Sequence, residues 1–142
     1  MKEYKMGYTQ GVYDMFHIGH LNLLNRAKVY CDYLMVGVNA DGLVEEYKHK
    51  TPVINEKDRV EIVRNIKAVD EAFIVHTLDK LAILETHPFD VIFIGDDWKG
   101  DKRWEQTKND LAEKGIDLIF LPHTAGVSST GLRTKEDNMV GE

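Results

Sequence analysis

The 142-residue chain has one cysteine, three prolines and fewer positive than negative side chains. A single cysteine, Cys31, excludes a disulfide within the chain and any metal site built from several cysteines. Eighteen lysines and arginines against 24 aspartates and glutamates give a net charge of −6. This balance argues against a general nucleic-acid-binding protein, because such proteins need a basic surface.

Long hydrophobic runs are also missing from the sequence. No apolar run approaches the roughly 18 residues that are needed to span a bilayer. The first five residues are polar and do not resemble a secretion signal, so we expect a cytoplasmic protein without a membrane span. The composition, 43% hydrophobic and 30% charged, is typical of a globular domain. We expect one domain over residues 1–133 and a flexible polar tail over residues 134–142.

Strand-like and helix-like segments alternate along almost the whole chain. Short apolar runs predict strands at residues 6–12, 33–38, 71–75, 90–95 and 116–121. Apolar residues at helical spacing predict helices after His20, from about Glu56, near residues 79–86 and 103–114, and over residues 128–133. The polar stretch 39–55 is predicted to be a loop. The alternation predicts an α/β fold, a Rossmann-like three-layer sandwich with a five-stranded, mostly parallel sheet.

Each segment that carries chemically suggestive residues comes directly after a predicted strand. These segments are residues 11–20, 41–50, 95–100 and 122–130. Ligands of parallel α/β sheets bind beyond the carboxyl ends of the strands. The sequence therefore predicts that the four segments surround one cleft.

Two histidines lie three residues apart between the first strand and the first helix. Free backbone N–H groups and the positive end of the helix dipole make such a junction an anion site. Gly19, between His17 and His20, leaves room for a phosphate to approach the backbone. A metal site is the alternative, but no third ligand is evident nearby, and zinc takes three or four. The motif therefore predicts phosphate chemistry. The alternative is that the two histidines pack together by chance and have no functional role.

A second phosphate-binding candidate is the hydroxyl-rich turn of Ser128, Ser129 and Thr130. Hydroxyl residues before a helix are often simple N-caps. Gly126 before this turn and Arg133 one turn later favour an additional role. Such a turn can hold the β- and γ-phosphate oxygens, with the arginine as their charge partner. The chain contains no P-loop motif, so P-loop chemistry is excluded.

Other charged and aromatic candidates also have non-functional interpretations. Lys48 and Lys50 could neutralise phosphates, although loop lysines are usually solvated. Arg59 opposes the helix dipole near a helix start, which indicates either a nearby anion or a surface ion pair. Asp97 could accept from an exocyclic amine of a base and Trp98 could pack on the substrate, or both could belong to an ordinary turn.

With these motifs in view, the chain resembles the small cytidylyltransferases of the nucleotidyltransferase superfamily, and most of all the glycerol-3-phosphate cytidylyltransferases. The resemblance covers residues 7–133. His17-Ile18-Gly19-His20 matches the superfamily signature, and residues 127–130 resemble the second signature. Residues 95–98 and 48–50 resemble two motifs of the cytidylyltransferase branch.

The resemblance implies a reaction between CTP and a small phosphorylated alcohol, with glycerol 3-phosphate favoured. The products would be a CDP-alcohol and pyrophosphate, formed by direct in-line transfer. Mg²⁺ is expected on the triphosphate, held by phosphate and water rather than by protein ligands. A homodimer is also implied. The alternatives are phosphoethanolamine, phosphocholine or another acceptor, an ATP-using adenylyltransferase, and a non-catalytic nucleotide-binding regulator.

The residues and the resemblance together give a set of candidate site residues. The predicted catalytic residues are His17, His20, Lys48 and Arg133. The predicted nucleotide-binding residues are Gly11, Val12, Tyr13, Asp14, Gly19, Asp97, Thr124, Ser128, Ser129 and Thr130. The predicted substrate-binding residues are Asp41, Lys50, Arg59 and Trp98. Within this set, Asp14 is expected to orient the first loop, and the segment that carries Lys48 and Lys50 could close as a lid.

Overall fold

Five strands form one sheet in a computed structural model that describes residues 2–96 and 100–122. The strands are β1 (Tyr4–Gly11), β2 (Cys31–Asn39), β3 (Glu71–Val75), β4 (Val91–Gly95) and β5 (Asp117–Leu121). The helices are α1 (Ile18–Tyr30), α2 (Asp41–Lys48), α3 (Glu56–Arg64), α4 (Lys80–Thr86) and α5 (Lys102–Ala112). The strand order is β3-β2-β1-β4-β5, and every pair is parallel. The predicted α/β fold with a parallel sheet is confirmed.

Helices cover both faces of the sheet, which gives the three predicted layers. On one face, α1 and α3 bury Leu24 and Val63 against the strands. On the other face, α4 and α5 bury Ile83 and Trp104. The central strands are covered on both sides, which explains why they read as near-continuous apolar runs in the sequence.

Two glycines in the central strands leave room for side chains of the neighbouring strands. A Cβ atom on Gly37 in β2 would lie 2.2 Å from the hydroxyl oxygen of Tyr8, and one on Gly7 in β1 would lie 2.6 Å from Cys31 Sγ. Real Cβ atoms do not approach other atoms so closely. The absent side chain of Gly37 therefore makes room for Tyr8, whose hydroxyl donates to Gln10 Oε1 at 2.6 Å.

The prediction of a loop over residues 39–55 is wrong for its first half, where α2 forms. Its Leu43 and Val44 are buried, so even this polar segment has an apolar face. The first residues of α2 and α3 bond each other, since the Asp41 N–H donates to Glu56 Oε1 at 2.8 Å and the Glu56 N–H donates to Asp41 Oδ2 at 3.3 Å. The helix ends where His49 takes a left-handed conformation with φ 59°.

The other predicted boundaries differ by a few residues. Helix α1 begins at Ile18, before His20, because His17 itself caps it. Helix α5 ends at Ala112, and Gly115 follows with φ 77°. The predicted last helix and the boundary between residues 133 and 134 lie outside the described residues. Among the helices that the structure describes, none is both long and apolar enough to cross a bilayer.

The carboxyl ends of all five strands lie at one edge of the sheet, because the strands are parallel. The turn before α1 follows β1 at this edge, and α2 follows β2. Arg26 of α1 donates to the carbonyl oxygen of Pro122 at 2.7 Å, so the chain leaving β5 passes beside α1. The fold thus brings the start of the last predicted segment close to the helix that the histidines begin.

Candidate active site

A strained turn connects β1 to the histidines. Tyr13 and Met15 have φ angles of 55° and 49°, in the left-handed region that side chains other than glycine rarely adopt. Between them, the fully buried carboxylate of Asp14 accepts from the backbone N–H groups of Val53 at 2.7 Å and Ile54 at 2.9 Å. Because strained backbone persists only where its surroundings hold it, this pair of bonds anchors the turn.

The two histidines form the N-terminal cap of α1. The Gly19 N–H donates to Nδ1 of His17 at 3.0 Å, and the His17 N–H donates to Nδ1 of His20 at 3.3 Å. Their rings stack with centroids 3.9 Å apart and planes inclined by 22°. Serine, threonine and the Asx residues are the usual caps of a helix, and here imidazoles do the same work.

These capping bonds fix the tautomer of each ring. A neutral imidazole whose Nδ1 accepts a hydrogen bond must carry its proton on Nε2. The Nε2 atoms of His17 and His20 are both buried, and neither has a hydrogen-bond partner among the described residues. The site therefore holds two adjacent N–H donors that lack an acceptor. An unpaired buried donor costs about 1–3 kcal/mol, so a bound acceptor would be favoured here.

Burial keeps both rings neutral. Aromatic rings surround His20, with the ring centroids of Tyr13 and Phe16 at 5.4 and 5.2 Å. Burial, reinforced by the nearby His17, lowers the pKa of His20 to about 3, and burial also lowers the pKa of His17. Burial raises the pKa of the Tyr13 phenol. At neutral pH the pair is a set of uncharged donors that an anion can reach without competition from an ion pair.

The geometry favours an anion over a metal ion. A metal bound at Nε2 requires the proton on Nδ1, yet the Nδ1 atoms of His17 and His20 both accept backbone hydrogen bonds. Within residues 2–96 and 100–122, no group of three or more histidine, cysteine, aspartate or glutamate side chains could hold a metal. Two N–H donors at the positive end of the α1 dipole suit phosphate oxygens.

Both predicted lysines lie at the end of α2, which starts at the same edge of the sheet. Lys48 is the last residue of the helix, and its Nζ lies 5.6 Å from the ring centroid of Tyr47. Lys50 follows the left-handed His49. Both side chains are half-buried. The lysines therefore project from a short helix and its end, where the sequence had predicted a loop.

Arg59 forms an ion pair, as one of the two interpretations of the sequence had it, but the pair with Asp41 is buried on the arginine side and does not lie at the surface. Its side chain is fully buried and is the largest fully buried side chain of the described residues. The guanidinium donates to the carbonyl oxygens of Ile54, Val12 and Asn39, each at 2.8 Å, and to the Asp41 carboxylate at 2.5 Å. Arg59 and Asp41, both predicted to bind substrate, thus hold each other and the protein backbone.

Sequence reasoning did not find Lys80, a buried cation at the same edge. Lys80 opens α4, is only 4% exposed, and donates from Nζ to the carbonyl oxygen of Leu78 at 2.8 Å. Its Nζ also lies 5.0 Å from the ring centroid of Trp104 in α5. These three residues, with Arg103 and Thr107, line a cavity of about 150 Å³. A lysine in the first turn of a helix opposes the dipole, the same signal that drew attention to Arg59.

Two further predicted nucleotide-binding residues, Gly11 and Val12, precede the strained turn. Gly11 ends β1 opposite Val38. Val12 is buried and packs against Val44 of α2. The other candidates lie outside the described residues. They are Asp97, Trp98, Thr124, Ser128, Ser129, Thr130 and Arg133.

Comparisons with known proteins give both a family match and individual relatives. The sequence profile of the family described as cytidylyltransferase-like matches residues 8–135. A glycerol-3-phosphate cytidylyltransferase of Bacillus spizizenii is 35% identical over 88% of this chain and 92% of its own length. An FAD synthase of Thermococcus onnurineus is 35% identical over 80% of this chain and 76% of its own.

A solved structure extends the similarity to three dimensions. The lipopolysaccharide core biosynthesis protein of Thermoplasma volcanium superposes with a TM-score of 0.71 at 26% identity. The match covers 85% of this chain and 97% of that one. The architecture described above is therefore shared with a protein of nearly the same domain extent.

Proposed function

This chain belongs to the cytidylyltransferase-like family, and we propose that it joins CTP to a small phosphorylated alcohol and releases pyrophosphate. Glycerol 3-phosphate is the favoured acceptor, because a glycerol-3-phosphate cytidylyltransferase is 35% identical over 92% of its own length. The product would be a CDP-alcohol. The family membership supports nucleotidyl transfer, whereas the identity of the acceptor is a more specific proposal.

The pair of Nε2 donors on His17 and His20 is the observation that carries this function. Both are buried, adjacent and without an acceptor among the described residues. Phosphate oxygens at the start of α1 would accept from both. A sensor that only bound nucleotide would have little need for two imidazoles at this point, which favours an enzyme over a regulator.

The reaction needs positioning more than it needs a nucleophilic side chain. An oxygen of the acceptor phosphate attacks the α-phosphorus of CTP in line, and the bond from that phosphorus to the bridging oxygen of the β-phosphate breaks. Pyrophosphate leaves with the bonding electrons. The acceptor is already an anionic nucleophile at neutral pH, so catalysis consists of holding two anions together and stabilising the charge that develops between them.

In this mechanism His17 and His20 donate to the α- and β-phosphate oxygens as negative charge accumulates on them. Lys48 and Lys50 neutralise the phosphates from the end of α2. CTP would be used as its magnesium complex, with the ion held by phosphate and water oxygens rather than by protein side chains. The hydroxyl-rich turn of residues 128–130 and Arg133 would hold the β- and γ-phosphates, and Asp97 would accept from the amine of cytosine.

The cavity beside Lys80 is our candidate for the acceptor phosphate. It combines a buried lysine, the exposed Arg103 and the indole of Trp104, at the edge where the strands end. A phosphate monoester carries two negative charges that a buried ammonium would attract strongly, because few water molecules screen the pair.

A screen for pyrophosphate release tests the function. The purified protein would receive CTP or ATP, each with glycerol 3-phosphate, phosphoethanolamine, phosphocholine or sugar phosphates. We expect release with CTP and glycerol 3-phosphate, and a CDP-glycerol product by mass spectrometry. Nucleotide binding without release from any combination would contradict the enzyme and favour a regulator.

The second candidate is an adenylyltransferase on the same scaffold. A relative named FAD synthase is 35% identical over 80% of this chain. In the proposed mechanism the two histidines contact phosphates and not the base, so they do not select CTP over ATP. Faster pyrophosphate release with ATP than with CTP would favour this candidate. The histidine pair would serve both reactions in the same way.

We further propose a homodimer, as the resemblance implies. Val29 of α1 and Ile62 of α3 lie on helices that cover the same face of the sheet, and they are 69% and 40% exposed. Exposed apolar side chains of this size are candidates for an interface. Light scattering coupled to size-exclusion chromatography would separate the monomer mass of 16.3 kDa from twice that value.

A further inference from the structure

Two fully buried charged side chains hold the backbone of the same residue, Ile54. Asp14 accepts from the N–H of Ile54 at 2.9 Å, and Arg59 donates from Nε to the carbonyl oxygen of Ile54 at 2.8 Å. Asp14 belongs to the turn that aims the histidines, whereas Arg59 belongs to α3. The backbone of Ile54, bonded at both its N–H and its carbonyl oxygen, is therefore fixed relative to both the histidine turn and α3.

Arg59 also holds the beginning of α2. Its Nη2 donates to the carboxylate of Asp41, the first residue of that helix, and its Nη1 donates to the carbonyl oxygen of Asn39 just before it. One side chain therefore fixes both ends of a single stretch of chain, at Asp41 and at Ile54. Lys48 and Lys50 lie within that stretch.

The last turn of α2 has an anchor of its own. Asn39 Nδ2 donates to the hydroxyl oxygen of Tyr47 at 3.1 Å, and Gln10 Nε2 donates to Asn39 Oδ1 at 2.8 Å. Asn39 and Gln10 are both buried. The helix is thus connected to the middle of the sheet one residue before Lys48.

We propose that Arg59 is a positioning residue that presets the lysines of residues 48–50 relative to the histidine pair. This inference rests on the proposed function, in which the lysines contact the triphosphate of the nucleotide. Arg59 acts through the backbone and Asp41, and does not touch the substrate, since its side chain has no exposed surface. Only residues 48–52 lie between the anchors at Tyr47 and Val53, so the lysines are held in place before nucleotide binds and no lid has to deliver them.

The geometry of the guanidinium explains why an arginine is needed. A planar group with donors on three nitrogens can bond three carbonyl oxygens and a carboxylate at once. A lysine at this place keeps the charge and the stem but has a single nitrogen. Arg59→Lys would therefore retain the pair with Asp41 or a carbonyl contact, but not all four connections.

The first test measures order without any ligand or turnover. Hydrogen–deuterium exchange of the peptides that cover residues 41–54 would be compared among the wild type, Arg59→Lys and Asp41→Asn. We expect at least tenfold faster exchange in this stretch for both variants and unchanged exchange in α5. Asp41→Asn keeps the test decisive if Arg59→Lys fails to fold. Unchanged exchange at residues 41–54 would overturn the proposal.

The control for this test is Arg64→Lys, on the same helix. Arg64 is half-exposed and forms an ion pair with Glu61 at 2.9 Å. Its replacement removes one guanidinium from α3 without touching α2. Faster exchange at residues 41–54 in this control would show that any change in α3 loosens the stretch, which would also overturn the specific role of Arg59.

The second test asks whether Arg59 works through Lys48 and Lys50. Calorimetric titration with inorganic tripolyphosphate would be run on Arg59→Lys, on Lys48→Ala/Lys50→Ala, and on the variant that combines all three changes. We expect Arg59→Lys and Lys48→Ala/Lys50→Ala each to weaken binding at least tenfold, and the combined variant to bind within threefold of Lys48→Ala/Lys50→Ala, because misplaced lysines and missing ones lose the same contacts. Additive losses, or no loss in Arg59→Lys, would contradict the proposal.

The two tests distinguish this inference from the proposed function. If the wild type binds tripolyphosphate but none of the acceptors leads to pyrophosphate release, the proposed reaction is wrong. The positioning role of Arg59 is then still decided by the two tests above. If the wild type does not bind tripolyphosphate, the phosphate site and the preset lysines both fall.

Discussion

The rings of His17 and His20 stack 3.9 Å apart, and each ring uses Nδ1 to cap the helix that the pair begins. The same hydrogen bonds that stabilise the start of α1 therefore decide which ring nitrogen faces an incoming ligand. The stability of the helix start and the position of the Nε2 donors are therefore linked through the tautomer of each ring. A change in either histidine would affect both.

His20→Ala should lower kcat by roughly 10²-fold or more, equivalent to about 2.7 kcal/mol of transition-state stabilisation. The physical reason is the loss of one N–H donor aimed at the phosphate oxygens. Steady-state pyrophosphate release would measure the effect. The matched control is His87→Ala, because His87 follows α4 at the opposite edge of the sheet and stacks on Phe73. Near-normal kcat in His20→Ala would remove this histidine from the mechanism.

The apoprotein should lose stability as the pH falls from 7 to 4. Burial lowers the pKa of His20 to about 3, whereas an unfolded histidine titrates near 6.5, so the unfolded state binds more protons between these values. The free energy of unfolding therefore rises with pH in this window, by at most about 3 kcal/mol from His20. Urea unfolding of the wild type and His20→Asn at pH 7, 6, 5 and 4 would measure it. A constant difference between the two proteins would show that His20 is not held neutral.

Lys80→Met should raise KM for the acceptor at least tenfold and change KM for CTP by less than threefold. The variant keeps an unbranched stem over Trp104 and removes the ammonium group that the acceptor phosphate would meet. Initial rates over a grid of both substrate concentrations would separate the two constants. Lys102→Met is the control, since Lys102 is an exposed lysine at the start of α5. An equal rise in both KM values would argue against a separate acceptor pocket at Lys80.

Two glycine-to-alanine changes should have opposite effects on stability. Gly37→Ala places a Cβ atom 2.2 Å from the Tyr8 hydroxyl and should destabilise by about 1–3 kcal/mol through overpacking. Gly42→Ala, in α2, meets no atom within 4 Å and should stabilise by up to about 1 kcal/mol, because alanine favours helix. Urea unfolding would measure both. Equal effects of the two changes would contradict the close packing at Tyr8.

The sequence predicted local features more successfully than contacts between distant segments. All five strands were found within a few residues, since each is a short apolar run beside glycine or polar turns. The loop predicted at residues 39–55 was wrong where α2 forms. The anchors of that helix explain the error, because Arg59, which pairs with Asp41, lies 18 residues further along the chain.

Arg59 shows the limit of reading charge from sequence. Its position near a helix start correctly marked it as unusual, but its partners could not be inferred. The carbonyl oxygen of Val12 is 47 residues away along the chain, and it meets Arg59 only because β1 lies beside β2 at the same edge of the sheet. Lys80 was missed for the same reason, since its cavity needs α5 to pack beside α4.

The sequence alone determined the alternation of strands and helices and the cap of α1, because both depend on residues a few positions apart. Periodicity and the three-residue spacing of His17 and His20 are local, so both can be read without knowing which distant segments meet. The tertiary structure decided which ends of strands lie together, and thereby placed Arg59 between Asp41 and Ile54 and enclosed Lys80. These contacts depend on strand order, and no short stretch of sequence specifies strand order.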